Sequence, residues 1–495
     1  MSRFPPLAGP NHAGHGWLPL LLASPAVITL LLVVGAAIAI QFGPDELSFY
    51  RRKALRAAQR GDGRSQAFAL ECLLALEPAN RATRWELAQV YRATGRAGLF
   101  AEISADLITP ERPGYAPAQI DAARRLLDSL ERQTPVGSSE QDRLLRAAMA
   151  HLRQALADQP KHPEATERLV DLLEALGGAA EARELALTLP AAGLTASMSI
   201  RKAWLESGGD AAKVPDSALS QTAALESMAS QADAPGHVRR AHALAGELRG
   251  NLSAAFGVWI AQLKPDRPEF RQAEARRHLV GLHVRRADEA FNKLPRDYET
   301  MAESVSRGLA LDPNSQPLLE RLVILANPSG TRAGTSPAQP VRDKAAAHLN
   351  DLLAKGTSPA LLHLLLAGDY HRNRRQDMAR LHFELAHRAD SKAAVVANNL
   401  AWYLINTAPR DPERALALVN SALESGLANP SFLETRGQIR AVLGDDAAAV
   451  ADLEAAGRAL GMSRAIHQAL ARCYGRLGDA EQAKRHEELA RGKGP

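Results

Sequence analysis

Towards the C-terminus of this chain a small residue, an aromatic, a glycine and two alanines follow in fixed order: Ala471, Tyr474, Gly478, Ala483 and Ala490. Two helices packed closely as an antiparallel hairpin need that order. Ala471 lets a neighbouring backbone approach, and Tyr474 fills the space beside it. Gly478 supplies the left-handed conformation that ends a helix. Ala483 and Ala490 keep the second helix near the first. The same spacing returns upstream at about 34 residues, which predicts a stack of helix pairs. Stacks of this kind present surfaces and rarely carry out chemistry.

Composition agrees. The chain has 495 residues, 46% hydrophobic but only 4% aromatic. Ala-rich, aromatic-poor sequence suits close helix packing and disfavours β-sandwiches. The formal net charge of +5 is spread along the chain among nearly as many acids. No specific nucleic-acid binding is expected from it, because no reading motif accompanies the charge. Two cysteines, Cys72 and Cys473, exclude a disulfide framework and read as small packing residues.

Residues 1–16 form an N-terminal tail, and 17–42 read as a transmembrane helix. Trp17 to Ile40 is almost wholly apolar, and no charge falls between Phe4 and Pro44. At 1.5 Å per residue such a run reaches roughly 36 Å, enough to cross a hydrocarbon core. A cleaved signal peptide with Ala37-Ile38-Ala39 as its processing site is the competing reading. Arg3 alone precedes the run, whereas Arg51, Arg52, Lys53, Arg56 and Arg60 follow it. By the positive-inside rule the C-terminal bulk is expected in the cytoplasm, the protein crossing a bacterial inner membrane once, with a periplasmic bulk left open.

The remainder divides by pattern. Helical pairs are predicted over 47–205, an irregular helical or linker segment over 206–236, and weaker pairs over 237–326. Pro, Gly, Ser and Thr mark 327–340 as a loop. The most regular block is 341–495. Its pairs carry Leu366, Ala367, Tyr370, Ala379, Phe383 and Ala386; Leu400, Ala401, Leu404, Ala415, Val419 and Ala422; then Thr435, Gly437, Leu443, Gly444, Ala449, Leu453 and Ala456.

These residues resemble the tetratricopeptide repeat family. The pattern covers 81–95, 163–190, 360–390, 394–424, 430–460 and 464–490, and is partial at 47–80 and 282–313. The segments "NNLAWYLI" and "FLETRGQIRAVLGD" look like pieces of bacterial proteins of that family, here joined to the apolar N-terminal run as in a membrane-anchored member. The resemblance implies an all-α fold, a right-handed superhelical solenoid of antiparallel helix pairs whose concave face binds peptides or partner domains.

Nothing in the sequence points to catalysis, a cofactor or a metal. No phosphate-binding loop, nucleophile elbow or dinucleotide fingerprint is present. His363, His371, His382 and His387 share one repeat, and His278 and His283 another, but their spacing does not converge on a metal. The groove is the better candidate. If the first helix of each pair lines the concave face, its inward positions include His371, Arg372, Asn398, Asn399, Trp402, Gln438, Gln468, Arg472 and Arg476. Amides can clamp a peptide backbone and arginines suit carboxylates, so an acidic or C-terminal peptide segment is the expected ligand. A membrane-anchored scaffold in envelope assembly, secretion or polysaccharide export fits best. A chaperone-like factor near a translocon and a non-catalytic subunit of a membrane enzyme complex remain open.

Overall fold

A computed structural model describes residues 46–109, 114–132, 138–190, 194–208, 210, 213–214, 216–327, 336–426 and 429–492. Among these residues every regular element is a helix. The tail 1–16, the apolar run 17–42 and the Ala37-Ile38-Ala39 site lie outside them. Among the described residues no helix is long and apolar enough to cross a membrane.

The chain forms two compact units, 1–173 with 179–194, and 174–178 with 195–495. The division falls ahead of the irregular stretch 206–236, which lies inside the second unit. The first unit holds α1 (Glu46–Gln59), α2 (Gly63–Leu76), α3 (Arg81–Ala93), α4 (Ala97–Ser104), α5 (Ala116–Arg132), α6 (Ser138–Asp158), most of α7 (Pro163–Ala175), and α8 (Ala179–Leu187). Its N-terminal core joins Ala54, Leu70, Leu73, Leu87, Val90 and Tyr91. The expected turn between α1 and α2 is present, with Gly61 at φ 69° and Asp62 capping α2 through Ser65. As its sequence suggests, the partner of α3 is short, α4 spanning 8 residues.

The second unit opens with α9 (Ala196–Ser207) and two short helices, α10 (Asp216–Leu219) and α11 (Thr222–Ala229). Then come α12 (Gly236–Arg249), α13 (Leu252–Gln262), α14 (Glu269–Asn292), α15 (Tyr298–Leu311), α16 (Gln316–Ala326) and α17 (Gln339–Ala354). Between α12 and α14 a mainly apolar core holds one polar cluster. Buried Glu247 accepts from Trp259 Nε1 at 2.8 Å and meets His278 Nδ1 at 3.0 Å, while the His278 ring stacks on Trp259 at 4.1 Å. Burial presses the His278 pKa down, but the Glu247 bond and charge outweigh it and the net shift is upward.

The loop read at 327–340 differs in role from a block boundary. Helix α16 packs on α17 across it, and one core runs from Ala287 through Leu325 and Val341 to Leu366. Pro340 also stands inside α17 near its start, where a missing N–H costs nothing. The interruption is therefore a connection within a hairpin.

Four regular hairpins follow: α18 (Pro359–Arg372) with α19 (Gln376–Ala389), α20 (Ala394–Asn406) with α21 (Pro412–Glu424), α22 (Pro430–Leu443) with α23 (Asp446–Leu460), and α24 (Arg464–Arg476) with α25 (Ala480–Ala490). Each holds a small residue where its helices cross: Ala367, Ala401, Gly437 and Ala471. At Gly437 a Cβ would meet the Leu453 side chain at 2.7 Å, so the crossing of α22 with α23 requires glycine. Gly478 has φ 84°, the conformation expected of it. Tyr474 also braces the preceding hairpin, its hydroxyl donating to Glu454 at 2.6 Å. Tyr91 reaches Glu71 in the same way in the first unit. Burial and these glutamates push both phenols up to about 12.

Candidate functional site

The groove residues fall on the first helices of the last four hairpins. Helix α20 lies against α22, and α22 against α24, so their outward faces form one continuous wall. The ends of that wall differ in chemistry.

At the α18–α20 end the wall is aromatic. The His371 ring meets Trp402 edge-on at 5.7 Å, and its Nδ1 faces the Tyr403 hydroxyl. Trp402 is half-buried, and His371 and Arg372 are exposed. Arg372 leans on Asp369 at 3.4 Å. Burial raises the pKa of Asp369, and Arg372 and Asn373 act against that rise.

In the middle the wall carries amides. Asn398 is 8% exposed, and its Oδ1 is buried without a hydrogen-bond partner. Its Nδ2 lies 3.5 Å from Asn399 Oδ1. A buried acceptor left unpaired is costly, and this one lies beneath the surface of the wall. Gln438 donates to Glu434 at 3.3 Å, and burial holds the Glu434 pKa above the usual carboxylate value.

At the α24 end the wall is basic. Arg464, Gln468 and Arg472 stand at successive turns of one stripe and are all exposed. Among the described residues neither arginine has an acidic partner. With Glu487, Ala471, Ala490 and Arg491 they border a cavity of about 260 Å³. Arg491 already pairs with Glu487 at 3.1 Å.

Arg476 departs from its expected part. Its guanidinium grips Asp446 at 2.6 and 2.9 Å and donates to the Ala441 carbonyl at 2.7 Å. It ties α24 to the α22–α23 hairpin and has no free fork for a ligand carboxylate. Cys473 lies beside this pair, fully buried, and burial followed by Asp446 pushes its thiol up to about 11. That suits a packing residue.

The histidines hold a pattern that the sequence reading passed over. His363 and His382 face each other Nδ1 to Nδ1 at 3.1 Å, with Tyr370 stacked on His382. His467 and His486 repeat this at 2.9 Å, with Tyr474 stacked on His486. The intervals 363–370–382 and 467–474–486 are identical, and that duplication is the signal that could have revealed them. Among the described residues no group of three His, Cys, Asp or Glu is placed to hold a metal. The paired rings fill the space between the helices of a hairpin and lie outside the wall.

No family model matches the chain, and no curated protein is similar to it. Solved structures do align with it. The APC/C hetero-tetramer Cut9-Hcn1 is 13% identical, covering 92% of this chain and 95% of that one with a TM-score of 0.30. The TPR domain of P58(IPK) is 14% identical, covering 88% and 99% with a TM-score of 0.26. Yeast Tom70 is 13% identical, covering 90% and 98% with a TM-score of 0.34. At these identities and scores the superpositions carry no argument about shape, partner or activity. The repeat reading rests on this chain's own antiparallel helix pairs, which follow one another in sequence and pack with small residues at Ala367, Ala401, Gly437 and Ala471.

Proposed function

We propose that this protein is a membrane-anchored scaffold that binds partner proteins along the first helices of its C-terminal hairpins. The observation that carries the reading is the basic end of the wall. Arg464 and Arg472 are exposed, two turns apart on one stripe of α24, and among the described residues neither forms an ion pair, although Glu487 borders the same cavity. An unpaired guanidinium on a helix face presents a planar fork suited to carboxylates. The amides of Asn399, Gln438 and Gln468 continue from it, offering donors and acceptors to a peptide backbone, with Asn398 buried behind them. Trp402 closes the row with an apolar face. The ligand that fits is an extended acidic segment, or a C-terminal one, with its carboxylates over α24 and an apolar side chain near Trp402.

In this reading the hairpins continue as a right-handed solenoid with the wall on its concave side. Residues 17–42 hold the chain in a bacterial inner membrane, and the basic residues after them favour a cytoplasmic solenoid. The protein works by binding and needs no cofactor of its own. Envelope assembly, secretion and polysaccharide export are the settings that such an anchor suits.

A photoreactive amino acid at Gln468 or Gln438 in the full chain, expressed in its native membrane, tests the wall. It should crosslink one discrete partner, and the same group at Lys484 on α25 should not. The Asn399→Ala/Arg472→Ala variant should lose at least most of that crosslink while keeping its melting temperature. Equal crosslinking from all three positions, or an undiminished yield in the variant, would sink the assignment.

A further inference from the structure

We infer that the α1–α2 hairpin carries a basic and aromatic face that lies on the headgroups of an anionic bilayer. This rests on the reading of 17–42 as a membrane span and goes beyond it, because it assigns the first folded hairpin a surface of its own.

The face follows from helix geometry. Leu47, Tyr50, Ala54 and Ala57 turn inward to the core. Phe49, Arg52, Lys53 and Arg56 stand at i, i+3, i+4 and i+7, so they share the opposite side of α1. All four are exposed. From α2, Phe68 joins them, 53% exposed, with Lys53 Nζ 5.1 Å from its ring centre. Phe49 is 45% exposed. Two exposed phenylalanines among cations give this face an amphipathic character.

The charge on this face is not neutralised within the hairpin. Among the described residues Arg52, Lys53 and Arg56 have no acidic partner, and most of the described acids nearby are engaged elsewhere. Asp62 caps α2, Glu71 accepts from Tyr91, and Glu77 accepts from Arg51 and Asn80. Glu46 opens α1, and Asp45 precedes it in the sequence.

Position selects the occupant. The apolar sequence ends at Ile40, and only five residues separate it from α1. Five residues extend at most about 17 Å, so an inserted run keeps α1 at the headgroup layer. Cations there are drawn to anionic lipid within a Debye length, and aromatic rings favour the boundary between headgroup and acyl chain. A protein or nucleic-acid ligand for this face would have to compete with a bilayer that is already in reach.

The full chain in vesicles of phosphatidylcholine, alone or with phosphatidylglycerol, tests the assignment with two separate readouts. Flotation that resists alkaline carbonate reports the span. Bromolipid quenching of the emission added by Phe68→Trp reports the face. Quenching should be at least about twofold stronger in the anionic vesicles. High salt or the Arg52→Glu/Lys53→Glu/Arg56→Glu variant should remove the difference, with carbonate-resistant flotation unchanged. Flotation without lipid-dependent quenching would overturn the face and leave the span standing. Salt-reversible flotation on anionic vesicles alone, sensitive to carbonate, would support the face and end the span. Loss of the anionic-specific quenching on adding equimolar RNA would overturn the choice of lipid as the occupant.

Discussion

The hairpins α18–α19, α22–α23 and α24–α25 fill one socket in two ways. Counted from the small residue at the crossing, the first and last place His363, Tyr370 and His382, or His467, Tyr474 and His486, between their helices. The same positions of α22–α23 hold Leu433, Arg440 and Asp452, and Arg440 meets Asp452 at 2.7 Å. Arg436, one turn earlier, grips the same carboxylate at 2.7 and 2.8 Å. Neutral rings stack in one case, and in the other two cations share a buried anion. The backbone arrangement tolerates both because the small residue sets the helix separation. What sits in the socket then decides how each hairpin responds to its surroundings.

The largest effect should come from the ionic socket. Asp452→Ala leaves two guanidinium groups, 22% and 24% exposed, without a counter-ion. Breaking such a pair from one side is expected to cost about 3 kcal/mol, read by denaturant unfolding of the full chain. A loss under about 1 kcal/mol, the usual range of a surface pair, would erase the contrast between the sockets.

The next effect is one of pH. Burial, with His363 adding to it, lowers the His382 pKa from 6.5 to about 4, and burial lowers His363 and His486 as well. The unfolded chain takes up these protons at higher pH than the folded one. The stability they contribute is therefore present above pH 6.5 and falls as pH drops towards about 4. His467, Arg485 and Glu454 are the charges acting on His486. The His382→Phe/His486→Phe variant should reduce the fall in melting temperature between pH 7 and 5, with buried His283 and half-buried His348 retaining part of it. Asp452→Ala should keep the wild-type slope, and equal slopes in all three proteins would remove the paired histidines as its source.

The smallest effects separate two arginines on one helix. Arg476→Ala should cost about 1 kcal/mol, since its pair with Asp446 is 46% exposed on the arginine side. It should leave the Gln468 crosslink intact. Arg472→Ala should change stability by less than about 0.5 kcal/mol and weaken the crosslink. Reversed outcomes would exchange the structural and binding roles of the pair.

Much of the architecture was legible beforehand, and the reason is local. Gly478, Ala471 and Tyr474 act within one hairpin, and helix periodicity and a left-handed glycine need no distant partner. The pairing of charges was not legible. Arg472 and Arg476 sit four residues apart and read alike as groove cations. Asp446, 30 residues upstream, engages one of them and not the other. The histidine pairs stayed hidden for a similar reason. Their 19-residue interval means nothing until the register between the two helices of a hairpin is known. The interruption at 327–340 has the composition of a boundary, and only the packing of α16 on α17 places it inside a hairpin.

By itself the sequence determined that this chain makes helix pairs, where most of them turn, and which residues let them cross closely. Those are consequences of backbone conformation and side-chain volume over a few turns. The tertiary structure decided which polar groups are free to meet a partner. That depends on distances between helices, over which a hydrogen bond or an ion pair either forms or does not.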